Sequence, residues 1–393
     1  MYFRTKDLDK GTQNRVLYEG ENEEAYDRDT FLKNIGFLEV KYVESFKEKE
    51  YAGDSNDSAT LLLGHMVVDG KYDLFVAVLR GCFSAQEWLS MFDPGCDNEA
   101  YEKLTGEHPE WTDRNTFKGV DIAKNRAMSF IDDFIAQYDN PALQNCILIT
   151  GHSRGGALAN VIGAEMEKRS DIRSYTYTFN APGVTTDSSA PDCRTIFNVF
   201  DSNDYYTDPI PFGKETFYRY GCDITKPIAD SNEIKAEIAR LKGREDYCSL
   251  DAEAKAEFRR MFAERFPDRA SLYEMVKATR RFDTEEEADA YEKLCTSLIG
   301  SENGLGLEGM CNVERRENAE GFEVDLNYCG GAVLLSYAKS LAYGQAAYEA
   351  TVSLFEEDTA ACEILSFLMK HADGLNGGHL LLNSYVLAGL YQP

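Results

Sequence analysis

The stretch of the chain richest in chemistry is Gly151-His152-Ser153-Arg154-Gly155-Gly156, a serine flanked by glycines two residues to either side. It lies between the apolar run Asn-Cys-Ile-Leu-Ile-Thr and the helix-forming Ala-Leu-Ala-Asn-Val-Ile-Gly-Ala-Glu. A serine in this frame acts as a nucleophile when the chain turns sharply from strand to helix and lifts the hydroxyl clear of the backbone. Gly151 and Gly155 supply the clearance, because a Cβ at either position crowds so tight a turn. The helix that follows points its first N–H groups at the site and favours negative charge there.

Such a serine needs a base, and the base needs a carboxylate to orient it. The chain has five histidines, at 65, 108, 152, 371 and 379. His152 belongs to the turn itself and is expected to pack beneath it. Where a Gly-x-Ser-x-Gly turn joins a strand to a helix in this way, the chain order of the three groups is serine, acid, histidine. His65 and His108 precede the serine, which leaves His371 and His379. The acid is expected at the end of a strand after the serine, where Asn-Val-Phe-Asp-Ser-Asn-Asp-Tyr-Tyr-Thr-Asp-Pro-Ile-Pro offers Asp201, Asp204 and Asp208. Asp204 fits by its place at the strand end. The remaining aspartates suit turn capping.

These residues need a scaffold, and the surrounding pattern supplies one. Leu-Leu-Leu-Gly-His-Met-Val-Val and Tyr-Asp-Leu-Phe-Val-Ala-Val-Leu flank Asp69-Gly70-Lys71 and predict a β-hairpin. Residues 119–138 predict a helix with Ile122, Met128, Ile131, Phe134 and Ile135 mainly on one face. Three further strands follow, around residues 145–150, 173–180 and 194–201, each ending in turn chemistry. Helices alternating with β-branched strands imply an α/β fold, a mostly parallel sheet covered on both faces. Residues 1–58 read as a charged lead-in. Residues 222–330 are rich in Glu, Lys, Arg and Ala, and Phe258, Met261, Phe262 and Phe266 recur at helical spacing. They predict a helical insertion between core segments 1–221 and 331–393.

Three segments together resemble the class 3, fungal-lipase-like branch of the α/β hydrolases. They are Val-Ala-Val-Leu-Arg-Gly-Cys-Phe-Ser, Ile-Thr-Gly-His-Ser-Arg-Gly-Gly, and Phe-Asn-Ala-Pro-Gly-Val followed by Asn-Val-Phe-Asp-Ser-Asn-Asp. The resemblance spans about residues 60–220 and 330–390, and it implies an α/β-hydrolase fold and a carboxylic ester hydrolase, a lipase or esterase. It implies Ser153 as nucleophile, Asp204 as acid and His379, a few residues before a tyrosine, as base. Asp208 keeps a claim, because Asp-Pro-Ile-Pro resembles a family variant, Asp-Pro-Val-Pro. The oxyanion donors it implies are the backbone N–H groups of Arg154 and of Cys82 in Arg80-Gly81-Cys82. The family carries Thr or Ser at the latter position, so Cys82, a weaker side-chain donor, would act through its backbone. Arg154 replaces a common leucine and would either pair with a carboxylate or draw an acidic substrate.

Composition excludes several alternatives. The formal charge is −27, from 68 acidic and 41 basic side chains, which repels nucleic acid and anionic headgroups. No apolar run approaches the roughly 18 residues that span a bilayer. The first residues hold no signal-like apolar stretch, so a cytoplasmic protein is the default expectation, although a processed secreted chain would read alike. The ten cysteines form no C-x-x-C pair, so no metal site and no cofactor are expected, and most read as reduced core thiols. The expected partner is an ester or lipid substrate. The same machinery also serves thioesterases, acyltransferases and peptidases, and a non-catalytic binding protein on this fold is the reading from another class. All the expected site residues lie outside 222–330, so the insertion is expected to act as a lid and not to build the machinery.

Overall fold

The computed structural model describes residues 32–44, 59–82, 110–207, 216–226, 251–300 and 304–379, together with positions 87, 91, 93–95, 99, 232, 235 and 236. The hairpin forms where expected. Strands β2 (Thr60–Val68) and β3 (Tyr72–Leu79) pair antiparallel from Leu61↔Leu79 to Val68↔Tyr72. Asp69 and Gly70 between them both have positive φ, 53° and 62°, the backbone a tight hairpin turn requires. Strand β1 (Glu39–Glu44), inside what reads as the lead-in, adds antiparallel to β2.

From β3 onward the sheet is parallel, through β4 (Gln144–His152), β5 (Arg173–Phe179), β6 (Ile196–Asp201) and β7 (Cys222–Lys226). The seven strands lie in sequence order. Helices α1 (Lys118–Tyr138) and α2 (Arg154–Glu167) cover one face. Phe75, Ile147 and Ile149 of the sheet meet Ile131, Phe134, Leu158 and Ile162 of the helices in a single buried cluster. On the other face Leu32 and Phe37 cover Leu62, Val76 and Val78. This is the mostly parallel, helix-flanked sheet of an α/β-hydrolase-like fold. Coverage is incomplete at β5 among the described residues, where Tyr175 and Tyr177 stand 50% and 41% exposed. That strand alternates buried and open positions, as a half-buried strand does.

Two expectations about the insertion need correction. Cys222–Lys226 belongs to the central sheet as β7, so the excursion begins after Lys226 rather than at 222. Nor is it purely helical. Between α3 (Ala252–Arg265) and α5 (Gly330–Tyr343) lie β8 (Met275–Phe282), α4 (Glu285–Ile299), β9 (Cys311–Asn318) and β10 (Gly321–Cys329). The three strands form a small antiparallel sheet in the order β8-β10-β9. Charge hid the period of two: Lys277, Thr279 and Arg281 alternate with Val276, Ala278 and Phe282. Helices α6 (Gln345–Phe355), α7 (Thr359–Lys370) and α8 (Ala372–Gly378) complete the order. The Gly-Leu-Asn-Gly-Gly stretch before His379 is helical despite its three glycines. The stripe Phe258, Phe262, Phe266 is buried, in one core with Tyr205 and Tyr206 of the segment after β6 and with α5 to α7.

Helix α2 lies so close to the sheet that a Cβ at Gly163 would fall 2.3 Å from Thr176 Oγ1 and 3.0 Å from its Cβ. Gly163→Ala should therefore destabilise the fold by about 1–3 kcal/mol, the usual cost of overpacking. The midpoint of urea denaturation checks this, and an unchanged or higher midpoint contradicts the packing described.

Candidate active site

At the end of β4 the chain enters α2 through a single residue. Ser153 sits at φ 56° and ψ −125°, a conformation that a side chain rarely adopts. Its backbone N–H donates to Phe179 O at 2.9 Å, which ties the turn to the end of β5. The flanking glycines are sterically required. A Cβ at Gly151 would fall 2.1 Å from Gly155 O, and one at Gly155 would fall 2.3 Å from Leu79 O. Ser153 caps α2 with no side-chain bond, so its hydroxyl is left for another partner.

That partner is His379, which follows α8. Its Nε2 lies 2.7 Å from Ser153 Oγ and its Nδ1 lies 2.8 Å from Asp204 Oδ2. A carboxylate only accepts hydrogen bonds, so Nδ1 carries the proton and Nε2 accepts from the serine hydroxyl. Asp204 is fully buried. Its Oδ2 also accepts from Asn180 Nδ2 at 2.6 Å, and its Oδ1 from the Tyr206 N–H at 3.0 Å. The ring of Tyr206 packs on His379 with centroids 4.5 Å apart. Oriented acceptor, base and hydroxyl in one line are what serine acyl transfer needs.

The other candidates separate from this line. Asp201 is buried and accepts from the Asn203 N–H at 3.0 Å, the capping duty expected of a turn aspartate. His371 ends α7 with its ring on Phe367, centroids 4.4 Å apart. His65 pairs with Asp73 at 3.0 Å within the hairpin. Asp208 and His108 lie outside the described residues.

Of the expected oxyanion donors, Arg154 is the first residue of α2, where N–H groups have no carbonyl one turn back to bond. Cys82 follows Gly81, at which a Cβ would stand 3.6 Å from Ser153 Cβ. Gly81, the residue before Cys82, therefore borders the serine. Burial pushes the Cys82 thiol up to about 12 against the opposing pull of the Arg154 charge, so the thiol is protonated at neutral pH. The Arg154 side chain is 1% exposed, which fits pairing within the protein better than reaching for substrate. Eight described cysteines, Cys82 among them, are free thiols.

Three contacts went unread in the sequence. Asn180 takes φ 49°, a left-handed conformation asparagine tolerates, and its amide reaches both Asp204 and Gly378 O. The signal available was an asparagine in turn chemistry just after a strand. Tyr206 carried no signal beyond its place beside the acid. His152, expected only to fill space beneath the turn, holds Nε2 3.0 Å from His379 O and so supports the backbone of His379. Burial first, and then repulsion between protonated His152 and the neighbouring His379 ring when that is protonated too, push its pKa down to about 3. His152 is neutral, and its Nε2–H donates to the carbonyl.

Residues 76–212 match the family model described as Lipase (class 3). A search of curated proteins finds no match. Among solved structures, a triacylglycerol lipase from Penicillium expansum is similar at 14% identity and a TM-score of 0.35. That match covers 48% of this chain and 71% of the other. A triacylglyceride lipase from Rhizomucor miehei is similar at 18% identity and a TM-score of 0.30, covering 48% and 67%.

The neutral His152 makes a prediction about acid stability. Its folded pKa lies near 3 and its unfolded value near 6.5, so between those limits the unfolded chain binds a proton that the native chain refuses. The contribution is complete above pH 6.5 and is lost as pH falls toward 3. His152→Gln keeps a donor for His379 O without titrating, so it should lose less stability than the parent between pH 7 and pH 4. Urea midpoints at the two pH values measure this, and the comparison cancels the carboxylates common to both proteins. Equal losses contradict a buried neutral His152.

Proposed function

We propose that this chain is a serine hydrolase of carboxylic esters, a lipase or esterase, working through an acyl-enzyme on Ser153. The observation that carries the reading is the line from Ser153 Oγ through His379 to Asp204, at 2.7 Å and 2.8 Å. The class 3 lipase match over residues 76–212 supports a lipid ester as the substrate class.

In this reading Ser153 Oγ attacks the ester carbonyl as His379 Nε2 takes its proton. Asp204, held by Asn180 and the Tyr206 N–H, keeps the imidazole in the Nδ1–H form and stabilises the imidazolium. The negative oxygen of the tetrahedral intermediate is met by the N–H groups of Arg154 and Cys82, each worth roughly 3–4 kcal/mol in the transition state. The imidazolium then protonates the departing alcohol. Water, deprotonated by the same nitrogen, releases the acid from Ser153.

The insertion extends the reading to substrate choice. Its α3 sets Phe258 against Tyr205, centroids 4.5 Å apart, one residue from the tyrosine that packs on His379. The closeness of α3 to the acid turn supports reading the insertion as a lid that governs entry of long acyl chains. Among the described residues no helix is long and apolar enough to cross a membrane.

Nitrophenyl esters of increasing chain length test the reading. Wild type should hydrolyse them with a defined length preference, and Ser153→Ala should keep less than about a thousandth of the activity. Asp204→Asn should cost roughly 10⁴-fold through the wrong tautomer, far more than Asp208→Asn. A Ser153→Ala variant with substantial turnover, or greater damage at Asp208, contradicts the assignment.

A further inference from the structure

Every group proposed for the chemistry lies outside the insertion, yet besides Phe258 a charged insertion side chain reaches the acid turn. Lys255 lies on α3, one helical turn before Phe258, and is only 7% exposed. Its Nζ donates to Ser202 O at 2.6 Å and to Asp204 O at 3.3 Å. We propose that Lys255 is a positioning residue for Asp204, through which the insertion holds the acid turn in its productive shape.

A buried ammonium is unfavourable by several kcal/mol unless its donors are matched, so its location is not incidental. Here it is matched to the two carbonyls of the turn that carries the acid. That turn is otherwise short and locally held: Asp204 N donates to Asp201 O at 2.9 Å, and Thr207 Oγ1 donates to Asp204 O at 2.7 Å. The ammonium adds a charge-assisted bond on each side of Asn203, both to main-chain oxygens of the turn. The helix delivering it is itself well anchored. Asp251 caps α3 by accepting from the Ala254 N–H at 2.7 Å, and Phe258 and Phe262 bury the face that Lys255 shares. Without Lys255 two turn carbonyls lose a donor, and Asp204 Oδ2 loses its fixed aim at His379 Nδ1.

The inference rests on the proposed roles of Ser153 and Asp204, and a double-mutant cycle on ester hydrolysis separates the two claims. Lys255→Met should lower kcat by roughly 10- to 100-fold with KM little changed, the scale of a small misplacement of a catalytic group. In an Asp204→Asn background the same change should alter kcat less than about threefold, because the group it positions is already disabled. Lys255→Arg, which keeps the charge and the donors, should recover most of the kcat. If Lys255→Met fails to fold, Lys255→Gln enters the same cycle. Equal losses in both backgrounds, or a loss confined to KM, overturn the role of Lys255 while leaving the hydrolase reading intact. Activity that survives Ser153→Ala overturns both.

Discussion

Ser153 is held at φ 56° and ψ −125°, a strained non-glycine conformation that costs on the order of 1–3 kcal/mol and persists only where its surroundings enforce it. They do so from two sides. Gly151 and Gly155 approach so closely that neither tolerates a Cβ, and the Ser153 N–H is tied to Phe179 O in the neighbouring strand. Relaxing the turn requires β4, β5 and α2 to part, and their shared core of Ile149, Leu158 and Ile162 opposes that. The strain is therefore stabilised by the packing of the sheet, and it presents the hydroxyl to His379.

The opposite end of the site is fixed differently. The acid turn is an irregular segment after β6, held by hydrogen bonds and by an unusual degree of cross-packing. Asn180 grips the Asp204 carboxylate, His152 supports the His379 carbonyl, and Lys255 holds the turn carbonyls. Tyr205 meets Phe258 of the insertion while Tyr206 lies on His379. The insertion thus shares its core with the site it borders, and is no peripheral decoration.

Much of this was readable from residue types alone. The turn around Ser153 announces itself because glycine spacing, an apolar strand and an alanine-rich helix all agree. The hairpin around Asp69-Gly70 follows from turn chemistry between apolar runs. Asp204 and His379 are harder. Sequence order narrows the histidines to two and the acids to three, and the resemblance to class 3 lipases selects within each set. What escaped has physical reasons. The strands of the insertion alternate charged with apolar residues, so their period of two is masked by a composition that reads as helix. Lys255, in Ala-Glu-Ala-Lys-Ala-Glu-Phe, reads as a solvated helix face, since nothing local reports that a turn 51 to 53 residues earlier accepts from its ammonium. His152 and Asn180 act across long sequence separations in the same way.

In the proposed reaction Ser153 carries the acyl group between its two halves. Intact-protein and peptide mass spectrometry of enzyme acid-quenched during turnover of a slowly deacylated ester reads this directly. One acyl adduct per chain is expected, on the peptide that contains Ser153, and little adduct when His379 is replaced by alanine. An adduct on another residue, such as Cys82, or hydrolysis with no adduct on Ser153 at any quench time, would contradict it.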